Sequence, residues 1–197
     1  MSKAINLLEE IYMIEKKSNG LTLFQLAKLT QKFDRTQKVV RIPIPCHLTV
    51  YRVKFVPYVG TSSLLVSGYV ESASKAGVKY SAVIYFRDVD FVKPELARGQ
   101  PGFFVLGYKD TVIGVKQLDA MRNKVQVRCS CPDFYFRFGW YLKKNNAFYG
   151  KGPKPYVRKT TWWPSVNPRR IPGMCKHLWN LVALLVRNNM IRNIKPY

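Results

Sequence analysis

Alternation of hydrophobic and polar residues dominates the middle of the chain. Its strongest example is 47–59, HLTVYRVKFVPYV, where Leu48 and Val50 begin a period of two. Valine, tyrosine and isoleucine, which favour strands, are frequent throughout this region. The segments that share the pattern are 47–59, 62–72, 77–89, 103–108, 111–118 and 124–130. Glycines and serines at 60–63 and 73–77 supply turns, so the pattern predicts an antiparallel β domain of about five or six strands.

Helical spacing of apolar residues marks both ends of the chain. It predicts a helix over 2–17, a second helix over 22–33 and an amphipathic helix over 175–189. Prolines make the segment 35–46 an extended linker. The two N-terminal helices are compatible with a helix-turn-helix that reads DNA. The alternative is a helical arm that packs on the body or on a neighbouring subunit, which we favour because the second helix carries only two lysines.

The charge of the chain is strongly basic and unevenly distributed. It has 33 Lys and Arg against 11 Asp and Glu, for a net charge of +22. Residues 120–197 hold 16 of the basic residues and a single acid, Asp133. Such an excess indicates a polyanionic partner, most often nucleic acid, although an acidic protein surface is an alternative. The positive field therefore belongs mainly to the C-terminal part.

Three of the four cysteines and one of the two histidines occur in two close pairs, C-x-C and C-x-H. Cys129 and Cys131 end a predicted strand, and Cys175 and His177 begin the last predicted helix. Zn²⁺ prefers four thiolate and imidazole ligands in a tetrahedral array, and a set of four protein ligands without an open position is typical of structural zinc. The pairs therefore predict one structural zinc ion. Cys46 lacks such partners and is assigned to packing.

The sequences around these pairs resemble the SWIM zinc finger. CSCPDF at 129–134 and PGMCKHL at 172–178 are similar to its C-x-C and C-x-H elements. The resemblance implies that a β-hairpin supplies the first pair and the start of a helix supplies the second. The chain departs from the family in having 43 residues between Cys131 and Cys175, far more than the usual short loop. This insertion is similar to one in SWIM-like proteins of tailed bacteriophages, which implies a virion or genome-associated protein.

These elements together predict an α+β protein. We expect a helical arm at 1–34, the linker at 35–46, an antiparallel β domain at 47–124, and a basic SWIM-like module at 125–197. In that module a zinc-bound β-hairpin, a long loop and a helix follow one another. No apolar run approaches the ~18–20 residues that cross a bilayer, and the N-terminus does not have the pattern of a secretory signal. We therefore expect no membrane association, and a location in a virion or a host cytoplasm.

The insertion combines aromatic and basic residues. Eleven aromatics lie within 133–163, a composition that suits stacking on nucleobases or, as we favour, a small core around the zinc ion. The basic residues are expected to face outward and neutralise phosphates. The predicted nucleic-acid-binding residues are Arg137, Lys143, Lys144, Lys151, Lys154, Arg158, Lys159, Arg169 and Arg170.

Recognised catalytic patterns do not occur in the sequence. Asp133 has no neighbouring carboxylate with which to form an acid–base pair, and His177 is assigned to zinc. We therefore expect a protein that is not an enzyme and that contacts DNA non-specifically, alongside other virion proteins and with homo-oligomerisation open. One alternative is a sequence-specific regulator that reads DNA with the helices at 2–33. Another is a capsid or portal-associated protein whose basic face binds an acidic protein neighbour.

Overall fold

The computed structural model describes residues 20–34, 47–155, 166–167 and 169–194. The predicted helix over 2–17 and the predicted linker at 35–46 lie outside these residues. The strands are β1 (Leu21–Thr22), β2 (Val50–Tyr58), β3 (Ser63–Glu71), β4 (Lys79–Phe86), β5 (Phe91–Val92), β6 (Phe103–Tyr108), β7 (Thr111–Lys116), β8 (Leu118–Asp119), β9 (Lys124–Cys129) and β10 (Ile191–Arg192). The helices are α1 (Leu23–Asp34), α2 (Pro94–Ala97), α3 (Pro132–Phe134), α4 (Trp140–Lys144) and α5 (Lys176–Arg187).

The strands form two antiparallel sheets and one short parallel pair. The larger sheet has the order β1-β9-β4-β3-β2, and the smaller sheet has the order β5-β7-β6. The parallel pair joins β8 to β10. All six predicted strands are present, which confirms the mixed fold with antiparallel sheets. They are divided between the two sheets, and the four further strands have two residues each.

One face of the larger sheet carries the core. In β3 and β4 the side chains at alternate positions are buried, including Leu64, Val66, Ala82 and Ile84. Helix α5 packs on this sheet against β3, β4 and β9. Its predicted apolar stripe is confirmed, because Leu178, Leu181, Val182 and Leu185 are all buried. Helix and sheet thus exclude water from the same interface, which is the main source of stability in such a layer.

Helix α1 begins with a reciprocal cap and packs into the same core. The Thr22 hydroxyl accepts a hydrogen bond from the backbone N–H of Gln25, and the Gln25 side chain accepts one from the N–H of Thr22. Leu23, Leu26 and Ala27 are buried. The second predicted helix is therefore confirmed, and the described part of the predicted arm at 1–34 is packed on the body.

The predicted division at residue 125 does not separate two packing units. Strand β9, which begins at Lys124, pairs with β4 in the larger sheet. A single cluster of buried side chains extends from Leu21 on β1 to Ile191 on β10. The β domain predicted at 47–124 and the module predicted at 125–197 share one core. None of the helices among the described residues has the length and apolarity needed to cross a membrane.

The first part of the insertion is helical, where the sequence indicated neither helix nor strand. A π turn, Tyr135–Gly139, joins α3 to α4, so residues 132–144 form one continuous helical segment. Phe134, Phe138 and Leu142 face the core from positions four residues apart. The helical period is hard to recognise in the sequence because aromatic residues also occupy the outer face.

Candidate metal centre

Strand alternation directs the first cysteine inward. Val125, Val127 and Cys129 occupy alternate positions of β9, and all three are buried. The next residue, Ser130, is tied to β4: its N–H donates to the Ser81 carbonyl over 3.0 Å, and its hydroxyl accepts from the Ser81 N–H over 2.9 Å. The end of β9 is thereby held against its neighbouring strand at the point where the site begins.

Cys131 turns inward again as the N-cap of α3. Its Sγ atom accepts a hydrogen bond from the backbone N–H of Phe134 over 3.3 Å. Only 2% of the residue is exposed. Strand β9 pairs with β4, which is distant in sequence, rather than with a hairpin partner. The first ligand pair thus comes from a strand end and a helix cap.

The second pair lies at the N-terminus of α5, where Cys175 is the N-cap and His177 belongs to the first turn. The preceding segment is fixed by the buried Thr30 hydroxyl of α1, which accepts a hydrogen bond from the Met174 N–H over 2.8 Å. At Gly173, a Cβ atom would lie 2.5 Å from the Phe138 ring, so the backbone approaches that ring more closely than any other residue type permits. Helix α1 and the π turn therefore both position this pair.

The four predicted ligands meet in one buried cluster. One ligand atom from each of Cys129, Cys131, Cys175 and His177 lies within 4.8 Å of all the others. The His177 Nδ1 atom is 3.8 Å from the Sγ atoms of both Cys129 and Cys175. Bond lengths of about 2.0–2.3 Å to a tetrahedral ion require donor separations of about 3.5–3.8 Å, so the donors are close to the spacing that such an ion needs. The cluster could therefore hold a metal ion.

The thiols influence one another strongly because they are close and buried. Hydrogen bonds from the Cys129 and Cys175 thiols lower the pKa of Cys131. The hydrogen bond to Cys131 raises the pKa of Cys129. Burial raises the pKa of Cys175, and the neighbouring thiols add to this effect. Because thiolates are the form that binds a metal ion, a cation in this cluster would have to displace thiol protons.

Packing, rather than a polar partner, orients the outer side of the His177 ring. The Tyr80 ring lies against it with a centroid separation of 4.8 Å. The Nε2 atom is buried and has no hydrogen-bond partner among the described residues. Since Nδ1 lies 3.8 Å from two of the thiols, it is the ring nitrogen that is placed to bind a metal ion.

The predicted phosphate-binding residues fall into three groups. Six of them have exposed side chains: Lys143, Lys144, Lys151, Lys154, Arg169 and Arg170. Arg137 differs from the prediction, because its side chain is only 12% exposed and pairs with Asp133 over 3.1 Å. The helical turn between positions 133 and 137 brings these two together. Arg158 and Lys159 lie outside the described residues.

The aromatic residues of the insertion only partly follow the prediction that most of them form core. Phe134, Phe138 and Phe148 are buried. Trp140, Tyr141 and Tyr149 are half-buried. Tyr135 and Phe136 are 49% and 47% exposed, respectively. The π turn therefore carries both core rings and surface rings.

A groove of about 710 Å³ opens beside the cluster, and we call it the metal-side groove. The exposed polar and aromatic residues among those that line it are Arg128, Ser130, Tyr135, Phe136, Lys151 and Lys154. Arg128 was not among the residues predicted from the sequence. Strand alternation could have identified it, since it lies between the inward positions Val127 and Cys129 and must point outward.

Comparison with known protein families, with curated proteins and with solved structures finds no match to this chain.

Proposed function

We propose that this chain is a zinc-stabilised basic protein that binds nucleic acid through its phosphates without reading sequence. The observation that carries the proposal is the buried cluster of three cysteines and one histidine beside a surface rich in exposed lysine and arginine. The resemblance of the sequence to SWIM zinc fingers and to SWIM-like phage proteins supports the same proposal. The proposal includes no catalytic step.

The donor set favours zinc as the cation of the cluster. Thiolates and a neutral imidazole suit Zn²⁺, and a site with four protein ligands leaves no position open for substrate. Bound there, the ion would link the end of β9 to the start of α5. Cys129, Cys131, Cys175 and His177 would then hold together two segments that are separated by the 43 residues of the insertion.

The charges near the cluster favour a polyanion as the partner. Lys144, Lys151 and Lys154 are exposed and form no ion pair with any acid among the described residues. The acid in this region, Asp133, is occupied by Arg137. Cations that lack internal partners remain available to phosphates, and their binding releases the counterions of the nucleic acid.

The test combines metal content with salt-dependent binding. Purified protein should carry one zinc ion per chain and should bind random-sequence duplex DNA with an affinity that falls steeply as salt rises. Each phosphate neutralised contributes a log–log slope of roughly −0.9. Replacing Lys143, Lys144, Lys151 and Lys154 together by Glu should flatten this slope while the zinc content remains unchanged.

The matched control replaces the exposed lysines Lys54, Lys75, Lys93 and Lys109 by Glu, because it changes the net charge by the same amount elsewhere on the surface. If both variants lose affinity equally, the effect reflects net charge rather than a site. If the first variant retains the parent's slope and affinity, the basic surface serves an acidic protein neighbour instead.

A further inference from the structure

We propose that the metal-side groove binds an unpaired nucleobase and its neighbouring phosphates, so that the protein prefers single-stranded to duplex nucleic acid. This inference rests on the proposed nucleic-acid binding and names the form of nucleic acid that is bound. The groove offers three things at once: exposed aromatic faces, cations that form no ion pair with an acid among the described residues, and a volume suited to a nucleotide.

The aromatic faces come from the π turn. Tyr135 and Phe136 are about half exposed, although burial of a ring of this size is normally favourable. Their rings meet edge to face with centroids 5.1 Å apart and an interplanar angle of 88°. Each ring is thereby held in place by the other. π turns occur frequently at functional sites, and a stacked nucleobase is a ligand that covers such a ring without requiring a particular base.

The cations line the same groove. Arg128 projects from β9, and Lys151 and Lys154 follow the helical segment. None of the three forms an ion pair with an acid among the described residues, and none of the described residues that line the groove is acidic. This charge complements the phosphates on either side of a stacked base, whereas it would repel a basic peptide.

The volume of the groove fits one nucleotide rather than a double helix. About 710 Å³ lies within the usual range of roughly 300–1,000 Å³ for small-molecule sites. In a duplex the faces of the bases are covered by their neighbours, so a base must leave the stack before it can contact Tyr135 or Phe136. A single strand does not bear that cost.

A row of tyrosines on the outer face of the larger sheet extends the surface beyond the groove. Tyr85 pairs in register with Gln126 of β9, two residues from Arg128, so Tyr85 and Arg128 lie on the same face. The Tyr85 ring lies 5.6 Å from that of Tyr149 and 6.2 Å from that of Tyr58. Arg128 thus both lines the groove and shares a sheet face with Tyr85, so these rings offer further stacking surfaces to a continuing strand.

The experiment compares three labelled probes at several salt concentrations: an oligothymidylate of about 12 nucleotides, a site size typical of such binders, an abasic oligonucleotide of equal length, and a duplex. The oligothymidylate should bind roughly 10-fold or more tightly than the abasic probe, which has the phosphates without the bases. Replacing Tyr135 and Phe136 together by Ala should remove this difference, whereas the pair Tyr135→Phe and Phe136→Tyr should retain it.

Tyr108→Ala is the matched control, because Tyr108 also lies beside a lysine, Lys109, but in the hairpin of the smaller sheet. It should leave all three affinities unchanged. Salt-dependent binding that is equal for the three probes, and unaffected by the double Ala variant, would overturn the inference while leaving the proposed function intact. Absence of salt-dependent binding to every probe would overturn both.

Discussion

Three basic side chains line the metal-side groove, and three line the crevice between the smaller sheet and β10. Among the described residues, those in the crevice contact carboxylates and those in the groove do not. In the crevice, Lys116 and Arg122 contact Asp90 at 3.8 and 3.2 Å, and Arg192 contacts Asp119 at 3.2 Å. The crevice is nearly closed, with a volume of about 10 Å³ against about 710 Å³ for the groove.

The difference shows that the net charge of +22 is not a uniform property of the surface. In the crevice, carboxylates neutralise the cations. The cations that line the open groove form no ion pair with a carboxylate of the described residues. Exposed ion pairs are worth only about 0–1 kcal/mol each, so the crevice pairs contribute little to stability but remove those charges from the field that a polyanion meets.

The largest expected effect is on the groove side and comes from loss of the metal. Cys175→Ser, or removal of zinc with a chelator, should lower the free energy of unfolding by about 4–5 kcal/mol or more, because the two ligand pairs are then no longer held together. Thermal unfolding together with metal analysis measures both effects. Cys46→Ser should retain one zinc per chain, and a metal-free parent protein with unchanged stability would show that the cluster is not a zinc site.

The second prediction compares the packing of two glycines. Gly173→Ala forces a methyl group against the Phe138 ring, and Gly114→Ala forces one to within 2.8 Å of Ala97 and Val92. Each substitution should cost about 1–3 kcal/mol in urea unfolding, as overpacking does. Only Gly173→Ala should also weaken zinc binding, since Gly173 lies two residues before Cys175. Equal zinc affinity in the two variants would contradict the coupling between the π turn and the metal centre.

The third prediction compares two arginines of equal charge. Arg128→Glu should reduce the magnitude of the log–log salt slope of nucleic-acid binding by about one, the contribution of one phosphate contact. Arg122→Glu makes the same change in net charge at a cation that Asp90 already neutralises. It should leave the slope within error of the parent. Binding isotherms at four or more salt concentrations decide between these outcomes. Equal slopes in the two variants would show that Arg128 does not contact a phosphate.

The smallest expected effect is the pH dependence of the crevice. Partial burial raises the pKa of Asp119, but hydrogen bonds from Asn193 and the Met121 N–H, together with the charge of Arg192, hold it below its ordinary value. A depressed pKa means that the folded state binds the proton less readily than the unfolded chain does. This contribution to stability is therefore complete above the ordinary pKa of 3.8 and is lost as the pH falls through the folded value.

Urea unfolding at a series of pH values between about 5 and 2 measures this loss. Asp119→Asn should be less stable than the parent at the upper end of the range, and the two should converge at the lower end. A constant difference across the range would mean that the Asp119 charge is not responsible.

The residues that could be predicted from the sequence are those with a local and regular pattern. The alternation at 47–59 and 77–89 correctly predicted β2 and β4, because one side of each strand faces the core and the other does not. The C-x-C and C-x-H spacings identified all four members of the cluster. The two residues of each pair are close in sequence, so the fold only has to bring the two pairs together.

The missed features depend on contacts that the pattern does not contain. The helical segment at 132–144 was missed because its outer face carries Tyr135, Phe136 and Trp140 where a surface helix normally has polar residues. The misplacement of Arg137 follows from that miss, since its pairing with Asp133 requires helical spacing. Strands of two residues, such as β8 and β10, are too short to show any period.

The π turn makes the length of the insertion as consequential as its composition. A π turn contains one residue more than an α turn, so deletion of a single residue from 135–139 would restore the regular helix. Deleting Tyr135 or Phe136 would place Phe138 and Leu142 three and seven residues after Phe134, and these spacings share one face of an α-helix. The core side of the segment would therefore survive, whereas the groove would lose one of its two exposed rings. A one-codon deletion could thus change the groove in a single step, while the core residues of the segment and the codons for all four metal ligands stayed intact.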